Sequence, residues 1–234
     1  GEGSAVVEPS PSAFKVYRGA IKSLDHRKID TKPCRVFGYQ TADIRGKDIE
    51  IANYFKDGTL VAQHMRGPDK TFHWVGSPRG CELFGQHLWG NGGKKIVITE
   101  GEIDALTVAQ MQDCKWPVVS LPNGAAGAVR DIKSNLEFVS SFNEVILMFD
   151  TDEPGQAAAK AVCDILPPGK AKIASLPYTV ESWDDAKNTF GPGSVMRNTV
   201  AELYEQQGIK VLAAWPVYFG AVPCVASKMA CPVT

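Results

Sequence analysis

The 234-residue sequence has no CxxC pair, no surplus of either charge, no GxxxxGK[ST] loop and no apolar leader behind basic residues. Each absence removes a class of protein. The six cysteines (Cys34, Cys81, Cys114, Cys163, Cys224 and Cys231) are scattered, so a zinc ribbon, which needs paired thiolates at fixed spacing, is excluded. They read instead as reduced, mostly buried small apolar side chains. With 25 basic and 26 acidic residues the net charge is −1, so no global basic field attracts nucleic acid, and any such surface must be local. The missing leader argues against secretion, and a first residue of Gly marks a processed chain or an excised piece. GNGGKK at 90–95 approaches a phosphate loop, but its spacing is wrong, no Ser or Thr follows the Lys, and it precedes its strand. It reads as a turn, with Lys94 and Lys95 as ordinary exposed lysines.

What is present is the composition of an ordinary globular protein, 44% hydrophobic and 22% charged, enough for one large domain or two small ones. Residues 1–15, rich in Gly, Ser and Pro, read as a linker. Residues 16–92 carry short alternating segments, RVFGYQTADI, DIEIANYF and TLVAQHM, the last two joined by the turn KDG. This predicts a smaller mixed α/β unit with antiparallel strands. Basic residues gather there (Arg27, Lys28, Lys32, Arg35, Arg45, Lys47, Arg66, Lys70, with Arg79 just beyond), mostly as a solvated face.

From 93 to 208 the rhythm is β-α-β. KKIVITE, PVVSLP, EVILMFD and KAKIASLP are apolar runs, separated by IDALTVAQMQ, AAGAVRDIKSNLEFVSS and PGQAAAKAVCDIL at helical spacing. The pattern predicts an α/β fold, a mainly parallel sheet with helices on both faces. In such sheets the ligand site lies beyond the carboxyl ends of the strands. Two runs end there in acids, Glu100 after the first and Asp150, with Asp152, after the third. Acids this close repel unless a cation neutralises them, and a hard, oxygen-seeking ion such as Mg²⁺ does so while leaving positions for phosphate oxygens. Glu100, Asp150 and Asp152 therefore predict metal-assisted phosphoryl transfer. Acids that merely cap following helices are the plainer reading, and it is kept for Glu102, Asp104 and Glu153, as caps or solvent-exposed groups.

TEGEIDALTV and MFDTDEPG, in this order on alternating β and α segments, resemble the Glu-Gly and DxD motifs of the Toprim domain. LFGQHLW, GGKKIVITEGEID, QDCKWPVVSLPNGA and VILMFDTDE, with DHRKIDTKPCRVFGY and RGPDKTFHWVG, resemble the primase half of the T-odd bacteriophage primase-helicases, across 17–176. The resemblance implies a primase catalytic core that makes short RNA primers on single-stranded DNA from ribonucleoside triphosphates, with Mg²⁺ or, in its place, Mn²⁺. It implies that Glu100 is metal ligand or general base and that Asp150 and Asp152 hold the metals. Arg66, Lys70 and His73 fall where the family sets basic residues against nucleotide phosphates, His73 replacing an expected Lys. The third acidic motif is altered to ESWDDAKN, with Asp185 the better candidate ligand and Asp184 the fallback. A helicase motor and the family's four-cysteine zinc module are not in this sequence, so a helicase or a separate zinc module is an expected partner. The resemblance also implies a cytoplasmic protein, that of the bacterial host if phage-encoded. A Toprim nuclease and a non-catalytic scaffold for single-stranded DNA or a replisome partner are the alternatives.

SLPNGAAGAV places Asn123 and Gly124 near a helix start, able to offer N–H groups to a phosphate or carboxylate or simply to form a tight turn. His26 and His64 read as surface or polar-network residues, His87 as packed near the junction of the two units, and Tyr39 and Trp74 as core or boundary aromatics. The segment 209–234 is an apolar tail whose prolines argue against a membrane span, and its role stays open.

Overall fold

A computed structural model describes residues 14–150, 152–174 and the backbone of 222–223. The linker up to 13, Asp184, Asp185 and most of the tail lie outside the described residues.

The N-terminal unit opens on helix α1 (Thr31–Phe37), which ends where Gly38 adopts a left-handed conformation (φ 64°). Four antiparallel strands follow in sequence order: β1 (Gln40–Ile44), β2 (Lys47–Lys56), β3 (Thr59–Arg66) and β4 (Phe72–Gly76). The β2–β3 turn is Asp57-Gly58, both at positive φ, as a two-residue hairpin turn matching strand twist requires. Two differences from the sequence reading stand out. Arg35–Phe37 closes a helix instead of starting a strand, because Pro33 suits a first turn and Gly38 a C-terminus. The FHWVG segment forms β4, which pairs with β3 so that His64 opposes Trp74 and Arg66 opposes Phe72.

The second unit has strand order β6-β5-β7-β8-β9, with β5 (Gly93–Thr99), β6 (Val118–Ser120), β7 (Phe142–Met148) and β8 (Ala171–Ile173) parallel. The crossovers carry α2 (Glu102–Met111), α3 (Gly124–Ser134), α4 (Leu136–Ser140) and α5 (Glu153–Ile165). The expected single helix across 125–141 is two, because the Asn135 side-chain amide donates to the carbonyls of Cys81 and Asp131. Asn135 itself leaves helical geometry. From the tail, β9 (Val222–Pro223) adds an antiparallel edge to β8.

The two units share a core. One cluster joins Phe37, Tyr54 and Phe84 to Ile103, Leu106, Ile146 and Met148, and a second fills the opposite face of the parallel sheet with Ile96, Ile98, Val145, Leu147, Ile132 and Val162. Gln110 of α2 ties them further, accepting from Asp30 N–H (2.6 Å) and donating to the Lys28 carbonyl (3.0 Å). Lys95 and Lys172 both pair with Glu144, a structural role that accounts for one of the strand-start lysines. Cys34, Cys81 and Cys163 are buried and Cys114 half-buried, and none of these four is in a disulfide. No helix of the described residues is long and apolar enough to cross a membrane.

Candidate active site

The carboxyl ends of β5 and β7 are neighbours, since Thr99 is in register with Met148. Glu100 follows the first strand at once, and Asp150 stands just past the second. Glu100 does not cap α2, whose N-cap is Gly101. Its Oε1 accepts from Ala125 N–H (3.2 Å) at the start of α3, and its Oε2 accepts from Asp150 N–H (3.3 Å). One carboxylate thus spans the loop after β6 and the end of β7. The SLPNGA turn does offer an N–H to a carboxylate, and the carboxylate is the protein's own.

Asp150 is held from several sides. Besides the bond to Glu100, its carbonyl accepts from the Gln156 side chain (3.0 Å). Gly155 packs beneath it so closely that a Cβ there would lie 2.4 Å from the Asp150 oxygen. Gly155→Ala is therefore expected to displace Asp150 and to lower activity at least about tenfold with little loss of α5, since Ala is the better helix former. Activity alongside thermal melting would separate the two effects. Asp152 is the N-cap of α5, its Oδ1 accepting from Gly155 N–H (2.8 Å). The capping role weighed against ligation is thus real for Asp152, and the cap uses only one carboxylate oxygen. Thr151, between them, and Asp185 lie outside the described residues.

Glu100 and Asp150, though not Asp152, line a cleft of about 500 Å³ between the parallel sheet's edge and the β3–β4 face of the N-terminal unit. Arg66, Phe72, His64 and Trp74 line the far wall, and Glu100, Asp104 and Asp150 the near one. The far wall is a stack. The His64 ring lies 4.4 Å from that of Trp74 and 5.4 Å from that of Phe72, and the Arg66 guanidinium sits 5.4 Å from the Phe72 centroid. Phe72 is 52% exposed, an unusual state for a large ring and one suited to stacking. Of the three basic residues expected near phosphates, only Arg66 lines the cleft. Lys70 sits at positive φ (54°) in the β3–β4 turn, and His73, alternating with Phe72 and Trp74, falls on the other face of β4.

Glu102 corrects the expectation of a cap or solvent-exposed group. Its side chain is only 14% exposed, and Oε1 accepts from Tyr54 O–H (2.7 Å) and bonds His64 Nδ1 (2.6 Å) across the junction of the two units. Burial pushes its pKa up, but the His64 and Tyr54 hydrogen bonds outweigh it and hold the carboxyl below its ordinary range. Asp104 is likewise buried, against the Gly101 backbone. Asn123 is pinned by Asp131, which accepts from both its backbone N–H (3.2 Å) and its side-chain amide (3.0 Å). His64 fits the polar-network reading, Tyr39 is buried with its hydroxyl donating to Glu50, and His87 packs on Phe55. Burial lowers the His87 pKa.

Among the described residues no group of three or more His, Cys, Asp or Glu side chains is already gathered as a metal cage. The donor chemistry nevertheless fits a hard divalent ion, because carboxylates on two strand ends edge an open cleft. Mg²⁺ keeps water and substrate oxygens in such sites instead of requiring an all-protein cage.

A doubly covered parallel sheet with strand-end acids is the arrangement of a Toprim-type fold, and the Toprim-like family model matches residues 97–187. The model described as the bacteriophage T7 DNA helicase/primase N-terminal α+β fold matches residues 19–76. The DNA helicase/primase of Enterobacteria phage T3 is 44% identical over 160 residues, covering 68% of this chain. The chain spans 28% of that relative's length. The crystal structure of the primase fragment of the bacteriophage T7 primase-helicase superposes with TM-score 0.72 at 38% identity, covering 84% of this chain and 83% of that one. A second T7 structure, of primase domains bound to an RNA/DNA hybrid and dTTP with the lagging-strand DNA polymerase, gives TM-score 0.71 at 38% identity, covering 83% and 96%. This chain belongs to the Toprim primases, in the branch of the T-odd phage primase-helicases.

Proposed function

We propose that the chain is the catalytic core of a DNA primase, joining ribonucleotides into short primers on a single-stranded DNA template. The observation that carries this is the cleft itself, with Glu100 and Asp150 on one wall and Arg66 beside the exposed Phe72 ring on the other. Kinship to the T3 and T7 proteins supports it, and the RNA/DNA hybrid and dTTP in one T7 complex are the ligands such a cleft would take.

The 3′-hydroxyl of one ribonucleotide attacks the α-phosphate of the next, a P–O bond forms, and pyrophosphate leaves. Asp150 and the uncommitted oxygen of Asp152 would hold the metal, with Asp185 as a further ligand. Bound Mg²⁺, or Mn²⁺ in its place, would offset the charge that builds on the reacting phosphate. Glu100, oriented by two backbone N–H groups, would bind the metal or take the hydroxyl proton. Arg66 would meet the triphosphate across the cleft, and Phe72 would support a base. Lys70 and His73, away from the cleft wall, would contact phosphates only at its rim. The domain limits at 16–92 and 93–208, a helicase or zinc-module partner and residence in the host cytoplasm complete the proposal.

The test is incubation with labelled ATP and CTP, Mg²⁺ and a single-stranded template. Di- to oligoribonucleotides are the expected product. Degradation of the template without nucleotides would assign the protein to the Toprim nucleases, and binding without either reaction to the scaffolds.

A further inference from the structure

A second groove, of about 680 Å³, runs between the loop after β4 and helix α3. Its walls include Ser77, Arg79 and Gly80 on one side and Asn123, Arg130 and Ser134 on the other. Arg79 is exposed, and the Arg130 side chain is 69% exposed. The Lys56 ammonium reaches the rim, 3.9 Å from where a Gly80 Cβ would sit. The acid in the lining, Asp131, is buried and already shared between Asn123 and Arg130. The groove is thus open and cationic. The cleft beside Lys22 and Arg27 differs, because Asp25, Asp48 and Glu50 in its own lining offset its basic residues.

Asn123 lines both this groove and the catalytic cleft, so the two adjoin at one pinned residue. From one end to the other the path runs from the Arg79 and Arg130 guanidinia to the Glu100 and Asp150 carboxylates. Guanidinium forks suit phosphate oxygens, and hydroxyls such as those of Ser77 and Ser134 are common second partners for a sugar-phosphate chain. A groove this size exceeds what one phosphate fills and suits several linked ones.

We propose that the Arg79–Arg130 groove is a track for the sugar-phosphate backbone of the single-stranded DNA template, delivering it past Asn123 to the acidic cleft. This rests on the primase reading for the identity of the strand. Contacts to the backbone position a strand without reading its sequence, so the track contributes affinity and no template preference.

The experiment is fluorescence anisotropy of the whole chain with a labelled oligo-dT strand, across about 50 to 200 mM salt, the range over which phosphate contacts weaken most visibly. Arg79→Ala combined with Arg130→Ala should reduce the log–log salt slope by about 1.4, at roughly 0.7 per phosphate contact on single strands. Affinity at low salt should fall about tenfold or more. Arg79→Ala alone, which disturbs no described ion pair, should give about half the slope change. Arg130→Lys should keep the slope and lose part of the affinity, since Lys keeps the charge without the fork. Lys47→Ala, removing an exposed partner of Asp69 away from the groove, should leave both unchanged. Wild-type affinity and slope in the double variant would overturn the track, as would a fall in affinity with an unchanged slope. The two readings fail separately. Primer synthesis by wild type with an unaltered slope in the double variant removes the track alone, whereas a reduced slope without synthesis by wild type removes the primase reading and leaves a strand-binding groove.

Discussion

Asp150→Asn is expected to lower primer synthesis by about a thousandfold or more while leaving single-stranded DNA binding and the melting temperature near wild type. The substitution keeps shape and removes only the anionic charge. Asp150 is also the acid whose backbone is most firmly fixed, by Glu100, Gln156 and Gly155. Glu100→Gln should be as inactive but less clean. Both Glu100 oxygens accept backbone N–H bonds, so a Gln amide must turn its NH₂ toward one of those donors. Some loss of stability should therefore accompany it. Asp152→Asn separates capping from catalysis, because Asn caps a helix about as well as Asp. It should preserve α5 and still lose activity. Equal synthesis by Asp150→Asn and wild type, measured as labelled ribonucleotide incorporated per minute, would remove Asp150 from the site.

Glu102→Ala should be the most damaging single change to the fold among the cleft residues, costing about 3 kcal/mol. It strands the buried Tyr54 hydroxyl and deprives His64 of its partner at the seam between the two units. The same carboxyl gives the folded state a sign-defined pH dependence. Its folded pKa is depressed, so its contribution is fully present above the ordinary value of 4.5 and is lost as pH falls through the folded value. Thermal melts of wild type and Glu102→Gln should accordingly converge as pH is taken from about 7 to below 4. Parallel melting curves throughout that range would show that Glu102 is not the group responsible.

How much of this was readable beforehand follows from which signals are local. The apolar runs and helical spacings of residues 93–174 report burial directly, so the parallel sheet and the meeting of Glu100 with Asp150 at its edge were legible. The limit of α1 was less so, because RVF fits a strand period as well as the last turn of a helix, and Gly38 alone marks the difference. The break at Asn135 was invisible, since it depends on a carbonyl of Cys81, 54 residues away. Glu102 was misjudged for the same reason. First-turn acids are usually caps, and only the packing of β2 and β3 against α2 brings Tyr54 and His64 onto this one. Arg66 lines the cleft, whereas His73 does not, because strand alternation in β4 gives that wall to Phe72 and Trp74. No local signal marked the exposed Phe72 ring, since Arg66 meets it only through the pairing of β4 with β3.

The most direct test of primer synthesis is whether the product copies its template. Wild-type protein, Mg²⁺ and labelled CTP should yield alkali-labile oligoribonucleotides when the single-stranded DNA contains dG at the copied positions. Replacing those positions with dA should abolish CTP incorporation, and Asp150→Asn should abolish it on every template. Incorporation indifferent to the template, or a template shortened in the absence of nucleotides, would contradict a primase.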